Sequence, residues 1–200
     1  ALALVLLAGA GLMLQSFRNM RRVSPGFNPA DVLTAEISIP GAQYSTYEKV
    51  EAFYHALLTR AAAIPGVHDA ALGSVIPLGH GDSENFAGCA SVFIEDHPLA
   101  PGEEAPCVDV PIVAPGYFRT LGINVRGKEP SWSDVESITG GVVVTQALAE
   151  RLWPGQDAIG KGIRGSGDHP PYYRVVGVSS NFRATGLDKP QPEAVFFPLL

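Results

Sequence analysis

The sequence predicts an α+β fold: a lobe of split β-α-β elements, a smaller β-containing lobe inserted into it, and the end of a transmembrane helix in front. Three observations carry this reading. Residues 1–14, ALALVLLAGAGLML, hold no charged and no polar side chain. The segments Tyr47–Ala61 and Gln146–Trp153 place apolar residues at three- and four-residue spacing, as amphipathic helices do. Short valine- and isoleucine-rich runs, bounded by proline and glycine, separate and follow them, as strands do. The division that follows is residues 1–17 as the C-terminal part of a membrane helix, 18–30 as a juxtamembrane connector and 31–200 as the core domain, with 78–106 as the inserted lobe.

Fourteen helical residues span about 21 Å, short of the ~30 Å hydrocarbon core, so the apolar stretch reads as the later part of a span. A signal peptide would begin with Met and a basic region and close on a small-residue cleavage site. Here Ala1 leads, and Leu12-Met13-Leu14 run straight into Gln15 and Phe17. Gly9 and Gly11 would weaken a helix in water and are commoner in membrane helices.

The connector VSPGFNPADVL is rich in turn formers. Val32–Ile39 then alternates apolar and polar residues, the pattern of a half-buried strand, and Pro40-Gly41 ends it. Ser45 with Glu48 forms a capping box before the first amphipathic helix, which Pro65-Gly66 stops. Val67–Val75 reads as a second strand. Residues 78–106 are loop-like, with six acids and one apolar run, Ser91–Ile94. Cys107–Val113 leads back as a strand. Ala114–Leu121 makes a short helix with Pro115 in its first turn and Gly122 past its end. Val142–Thr145 is a strand, Gln146–Trp153 a helix, and Tyr172–Val178 and Ala194–Leu200 are strands.

The net charge of −6, with basic residues clustered only at Arg18, Arg21 and Arg22, excludes a nucleic-acid surface. Two cysteines, Cys89 and Cys107, permit one disulfide and require none; two free buried thiols are the alternative. Gly155–Lys161 fits the phosphate-loop pattern GxxxxGK, but Gly162 replaces the metal-holding hydroxyl, and the stretch follows a helix rather than a strand. It reads as a turn with Ile159 inward and Lys161 in solvent. None of His55, His68, His80, His97 and His169 sits at metal-ligand spacing. Asp82, Glu84, Glu95, Asp96, Glu103 and Glu104 could pair as carboxylates but read as a solvated acidic surface. Tyr117, Phe118, Trp153, Tyr172 and Tyr173 read as packing residues. No catalytic, cofactor-binding or metal residue is assigned, and no cofactor is expected.

Several phrases together resemble one family: residues 1–40, IPGVHDAALGSVIPLG at 64–79, VAPGYFRTLGI at 113–123, VVVTQALAERLWPGQDAIGKGI at 142–163 and YRVVGVSSNFRATGLDKPQPEAVFFPL at 173–199. The chain resembles the periplasmic core domain of MacB/FtsX-type ABC transporter permeases, in particular the large permeases of acidobacterial type. It departs from the family pattern at Arg126–Pro130, where "GRDF" is usual, and at Asp157–Gly160, where "DPIG" is usual. The resemblance implies a bacterial inner-membrane permease with this domain on the periplasmic side. A separate ABC ATPase, a second permease copy and a periplasmic protein would be its partners. The implied role is non-catalytic: coupling ATP-driven helix motion to export or release of a lipid, lipoprotein, peptide or drug. A membrane-anchored binding or sensor module without transport is the alternative, and a hydrolase built on Glu95 or Asp96 a third. Arg18, Arg21 and Arg22 follow the helix, and the positive-inside bias would place them in the cytoplasm, opposite to what the resemblance implies.

Overall fold

The eight strands assigned among the described residues form one curled sheet, in a computed structural model that describes all residues except 1, 42, 43, 45, 80–87, 101, 133–139, 168, 169 and 200. Helix α1 (Leu2–Met20) and helix α2 (Tyr47–Ala62) precede strands β1 (Cys89–Ile94), β2 (Cys107–Asp109) and β3 (Ile112–Val113). Then come α3 (Tyr117–Thr120), β4 (Val125–Gly127), β5 (Gly141–Thr145), α4 (Gln146–Leu152), β6 (Gly162–Gly165), β7 (Tyr173–Ser179) and β8 (Val195–Pro198). The sheet order is β2-β1-β6-β7-β5-β8-β3. Strand β7 shares one edge between β6, at Tyr173 and Arg174, and β4, at Gly177–Ser179.

The curl brings the ends of the sheet together. Ile112 and Val113 pair in parallel with Phe197 and Pro198, and Asp109 at the end of β2 bridges Ala194 in parallel with the same offset. Residues 109–113 are therefore one extended run along 194–198, interrupted at Val110-Pro111. Its first half also carries the β1 pairing; its second half does not.

Both faces of β5 are buried, as its uninterrupted Val142-Val143-Val144 run requires. Val142 and Val144 enter one core with Val92 and Ile94 of β1, Val108, Ile163, Val175, Val195, and Leu148 and Trp153 from the α4 region. Val143 points to the other, with Tyr117, Phe118, Leu121, Phe182 and Phe196. Phe118 and Phe196 meet edge-on with centroids 4.8 Å apart.

The α+β class and most of the expected elements are present. Three readings change. Val32–Ile39 forms no strand, and Leu33 is 96% exposed and Ile37 41%. The Val67–Val75 strand reduces to one bridge, Gly73 to Val113, flanked by Ser74 N–H to Ile112 O and Leu72 O from Ala114 N–H, both at 2.8 Å. Its partner β3 is only two residues long, bounded by Pro111 and the turn into α3. The strand expected at Ser91–Ile94 is present as β1, paired with β6 and β2. Lys161 is not free in solvent; it pairs with Asp96 and hydrogen-bonds Gln156. Ser45 lies outside the described residues, and the residue at the start of α2 is Thr46, whose hydroxyl bonds the Glu48 carboxylate.

Helix α1 stands apart in character. Its described apolar side chains are bare, with Leu7 73% and Met13 78% exposed, and the space around Gly9 and Gly11 is open. No described helix is long and apolar enough to cross a membrane.

Candidate functional site: the joint between the apolar helix and the sheet

The chain leaves α1 through a helical turn that continues past its end, with Arg21 N–H to Phe17 O at 3.1 Å and Val23 N–H to Met20 O at 3.1 Å. It then docks. Pro25 O accepts the Arg183 N–H at 2.7 Å, and Asn28 N–H donates to Leu121 O at 2.8 Å. Phe27 and Val32 pack on the core that holds Phe182 and Phe196. Asn28 Oδ1 accepts the Ala30 N–H at 3.1 Å, a local Asx turn that redirects the chain.

Two glycines make this docking possible. Gly26 has φ +80, and a Cβ there would lie 2.4 Å from Asn181 O and 2.6 Å from the Phe182 Cα. Gly122, at φ +64 just past α3, would put a Cβ 3.1 Å from the Asn28 Cβ. Only a residue without a side chain fits the first position, where the two backbones touch.

From Gly26 the contacts lead inward. Asn181, whose carbonyl faces Gly26, turns its Oδ1 to the Ala147 N–H at 3.1 Å, at the start of α4. Thr145 Oγ1, fully buried, accepts from Leu148 N–H at 3.4 Å and from Ala194 N–H at 3.1 Å. The first turn of α4, β5 and the entry to β8 thus share two side-chain oxygens. The connector, the loop after β7 and the N-terminus of α4 form one continuous packed unit.

The residues with catalytic potential are dispersed. Glu95 pairs with Arg174 across β1 and β7. Asp96 binds Lys161 and the Trp153 indole N–H, and the Lys161 hydrogen bond holds its carboxyl below the usual range. Glu103 accepts the Ala100 N–H at 2.9 Å. Asp96, Glu103 and Glu104 border a cleft of about 500 Å³ floored by Ile94 and Trp153. His55 packs edge-on to Trp132; His68 and His97 are exposed. His80, His169, Asp82 and Glu84 lie outside the described residues. Among the described residues no cluster of histidine, cysteine and acidic side chains could hold a metal. The Gly155–Lys161 turn opens into β6, not into a helix, so it offers no row of free N–H groups to a phosphate. Tyr117, Phe118 and Trp153 are buried; Tyr172 and Phe93 flank the Arg164 guanidinium, at 5.4 and 4.7 Å.

Cys89 and Cys107 form a disulfide, with Cα atoms 5.5 Å apart across the β1–β2 pair. Near α3, Arg119 bonds Asp69 at 2.9 Å, and Glu129 accepts backbone N–H groups of Gly116 and Arg119 while burial holds its carboxyl above the ordinary value.

The sequence marks this stretch only as a turn-rich connector at 18–30. The docked residues are Pro25–Asn28, and their partners Leu121 and Asn181–Arg183 are far away in sequence. The only local signal was the turn-rich Pro25-Gly26 and Pro29.

An exposed apolar helix joined by a docked arm to a curled mixed sheet defines an α+β domain. The chain belongs to the MacB-like periplasmic core domain family, whose sequence profile matches residues 2–200. That family is not one of catalytic domains. Among solved structures, the chain is similar to the periplasmic region of MacB from Actinobacillus actinomycetemcomitans, at 12% identity and TM-score 0.45, covering 72% of this chain and 54% of that one. It is also similar to the extracellular domain of the noncanonic ABC-type transporter YknZ from Gram-positive bacteria, at 15% identity and TM-score 0.45, covering 70% and 59%. The chain spans about half the length of these solved relatives. None of the curated proteins compared matches it.

Proposed function

We propose that this domain belongs to an ABC transporter permease of a bacterial inner membrane and works outside the cytoplasm as a mechanical element without chemistry of its own. Helix α1 is then part of a membrane-spanning segment, and ATP is hydrolysed by a separate ATPase subunit. Motion of the helix reaches the domain through Pro25–Asn28. The observation that carries this reading is the joint: Gly26 seated against Asn181 and Phe182, with Asn181 capping α4. A flexible tether would need no such fit. A displacement of α1 is therefore passed to α4 and β5 instead of being absorbed in a loop. The same reading has two permease copies acting together, a periplasmic partner protein, and a lipid, lipoprotein, peptide or drug as cargo for export or release.

The test uses membranes carrying the permease that contains this chain, with its ATPase. Gly26→Val should leave ATP hydrolysis in place and reduce cargo release at least tenfold. Retained release would overturn the coupling role and favour a membrane-anchored binding or sensor module. Isothermal calorimetry on the purified chain should register no heat of ATP binding.

A further inference from the structure

We infer that Arg18, Arg21 and Arg22 form a headgroup clamp for anionic phospholipid, an inference that rests on the reading of α1 as a membrane segment. The three residues are spaced three and one apart, so Arg18 faces Arg21 and Arg22 at helical i, i+3 and i, i+4 positions. The bonds of Arg21 N–H to Phe17 O, Arg22 N–H to Asn19 O and Val23 N–H to Met20 O continue a helical turn past the end of α1, so this spacing keeps the three residues on neighbouring positions of one turn. All three are exposed, and none pairs with a carboxylate among the described residues. The other arginines near carboxylates behave differently: Arg119, Arg126, Arg151 and Arg174 each hold an acid.

Charge complementarity selects the occupant. The first thirty residues carry these three arginines and no acid, while the other 170 hold all twenty acids against eleven basic side chains. The rest of the chain would repel an anionic bilayer, so any preference for one must come from this cluster. Position agrees. The bare apolar surface of α1 ends at Phe17 and Met20, interleaved with the arginines, which puts the guanidinium groups where hydrocarbon meets headgroup. Arg22 lies three residues before the docked Pro25, a reach of at most about 11 Å, so the sheet is held close over the bilayer surface. Arginine binds a phosphodiester bidentately, and a bilayer offers several such groups side by side. On the outer side of the membrane, where the positive-inside bias disfavours arginine, such phosphates supply the compensating charge.

The experiment is flotation of the whole 200-residue chain with vesicles of phosphatidylcholine alone and of phosphatidylcholine with one quarter phosphatidylglycerol. At about a fivefold gain per arginine, the chain should prefer the anionic vesicles by on the order of a hundredfold at low salt, and lose that preference in 1 M salt. The triple variant R18Q/R21Q/R22Q should bind both vesicles equally while keeping the wild-type affinity for the neutral ones and the wild-type circular dichroism. Equal binding of the wild-type chain to both vesicles overturns the clamp and leaves the membrane reading of α1 standing. No binding to neutral vesicles overturns the membrane reading itself. Inorganic phosphate at constant ionic strength should not displace the chain; displacement would assign the cluster to free phosphate and overturn the lipid assignment.

Discussion

Asn181 Oδ1 accepts the Ala147 N–H at 3.1 Å, so a loop residue thirty-four positions downstream caps the helix that follows β5. The same residue's carbonyl lies where a Cβ on Gly26 would have to be. One asparagine thus serves both the helix start and the docked connector. Asn181→Ala should lower stability by about 1 kcal/mol, the usual cost of losing a helix cap, with Asn181→Asp retaining most of it. Urea unfolding measures this; an unchanged midpoint for the alanine variant would show that α4 does not depend on Asn181.

Gly26→Val places a side chain into backbone atoms at a left-handed position. The connector should lift off, freeing Arg183 N–H and Asn28 N–H, at a cost of about 1–3 kcal/mol. Limited proteolysis should then cut between Ser24 and Val32 much faster than in the wild type, while the sheet persists by circular dichroism. Equal cutting rates would mean that the glycine is not what holds the arm.

Thr145 Oγ1 is buried and serves two backbone donors, Leu148 and Ala194. Thr145→Val keeps the shape and strands both N–H groups, so about 3 kcal/mol should be lost. Thr145→Ser keeps the oxygen and should recover most of that. A valine variant as stable as wild type would refute the hydrogen-bond account.

The Cys89–Cys107 disulfide closes a loop with a sequence separation of 18. In the chain-entropy model its removal costs about 3 kcal/mol. The double serine variant should show that loss in guanidinium unfolding. Non-reducing mass spectrometry of the native chain should give a mass two hydrogen atoms lighter than after reduction.

Asp96 and Glu129 respond to pH in opposite directions. Lys161 lowers the Asp96 value, so its contribution is present above the ordinary aspartate range and lost as pH falls through its own lower value. Its half-exposed position keeps the effect small. Burial raises the Glu129 value, despite Arg119 and two N–H donors, so the protonated form favours folding and that benefit fades as pH rises through its higher value. Glu129→Gln should therefore gain on the wild type in melting temperature as pH rises from about 4 to 7, and Asp96→Asn should lose less than the wild type between about 5 and 2. A pH-independent difference for Glu129→Gln would count against the buried-carboxyl account.

What could be read locally is what local chemistry decides. Val142-Val143-Val144 must be a strand buried on both faces, and Leu148, Leu152 and Trp153 must line one side of the helix that follows. The turn at Pro115-Gly116 and the glycine at 122 bracket α3 as expected. Strands β4 and β6 were not legible, because Val125-Arg126-Gly127 and Gly162-Ile163-Arg164-Gly165 carry too few apolar residues to show a period; β7 supplies their order by pairing. Val32–Ile39 shows the converse: alternation is a strand's signature, but a strand also needs an edge to pair with. The joint was hidden for the same reason as the Asn181 cap. Its partners, Leu121 and Asn181–Arg183, lie about a hundred or more residues downstream of Pro25–Asn28, and nothing in VSPGFN names them.

The pairing of residues 109–113 with 194–198 also sets the order in which the molecule can be made. Its partners lie eighty-five residues apart, and β8 is the last strand to leave the ribosome of those described. Until it emerges, β2 and β3 present a free edge and Phe118 lacks the Phe196 ring. Contacts this distant make the search slow. β5 and β7 can pair before β8 is available, and β8 then supplies the partner of β3. A chaperone that covers strand edges would find its client in that interval.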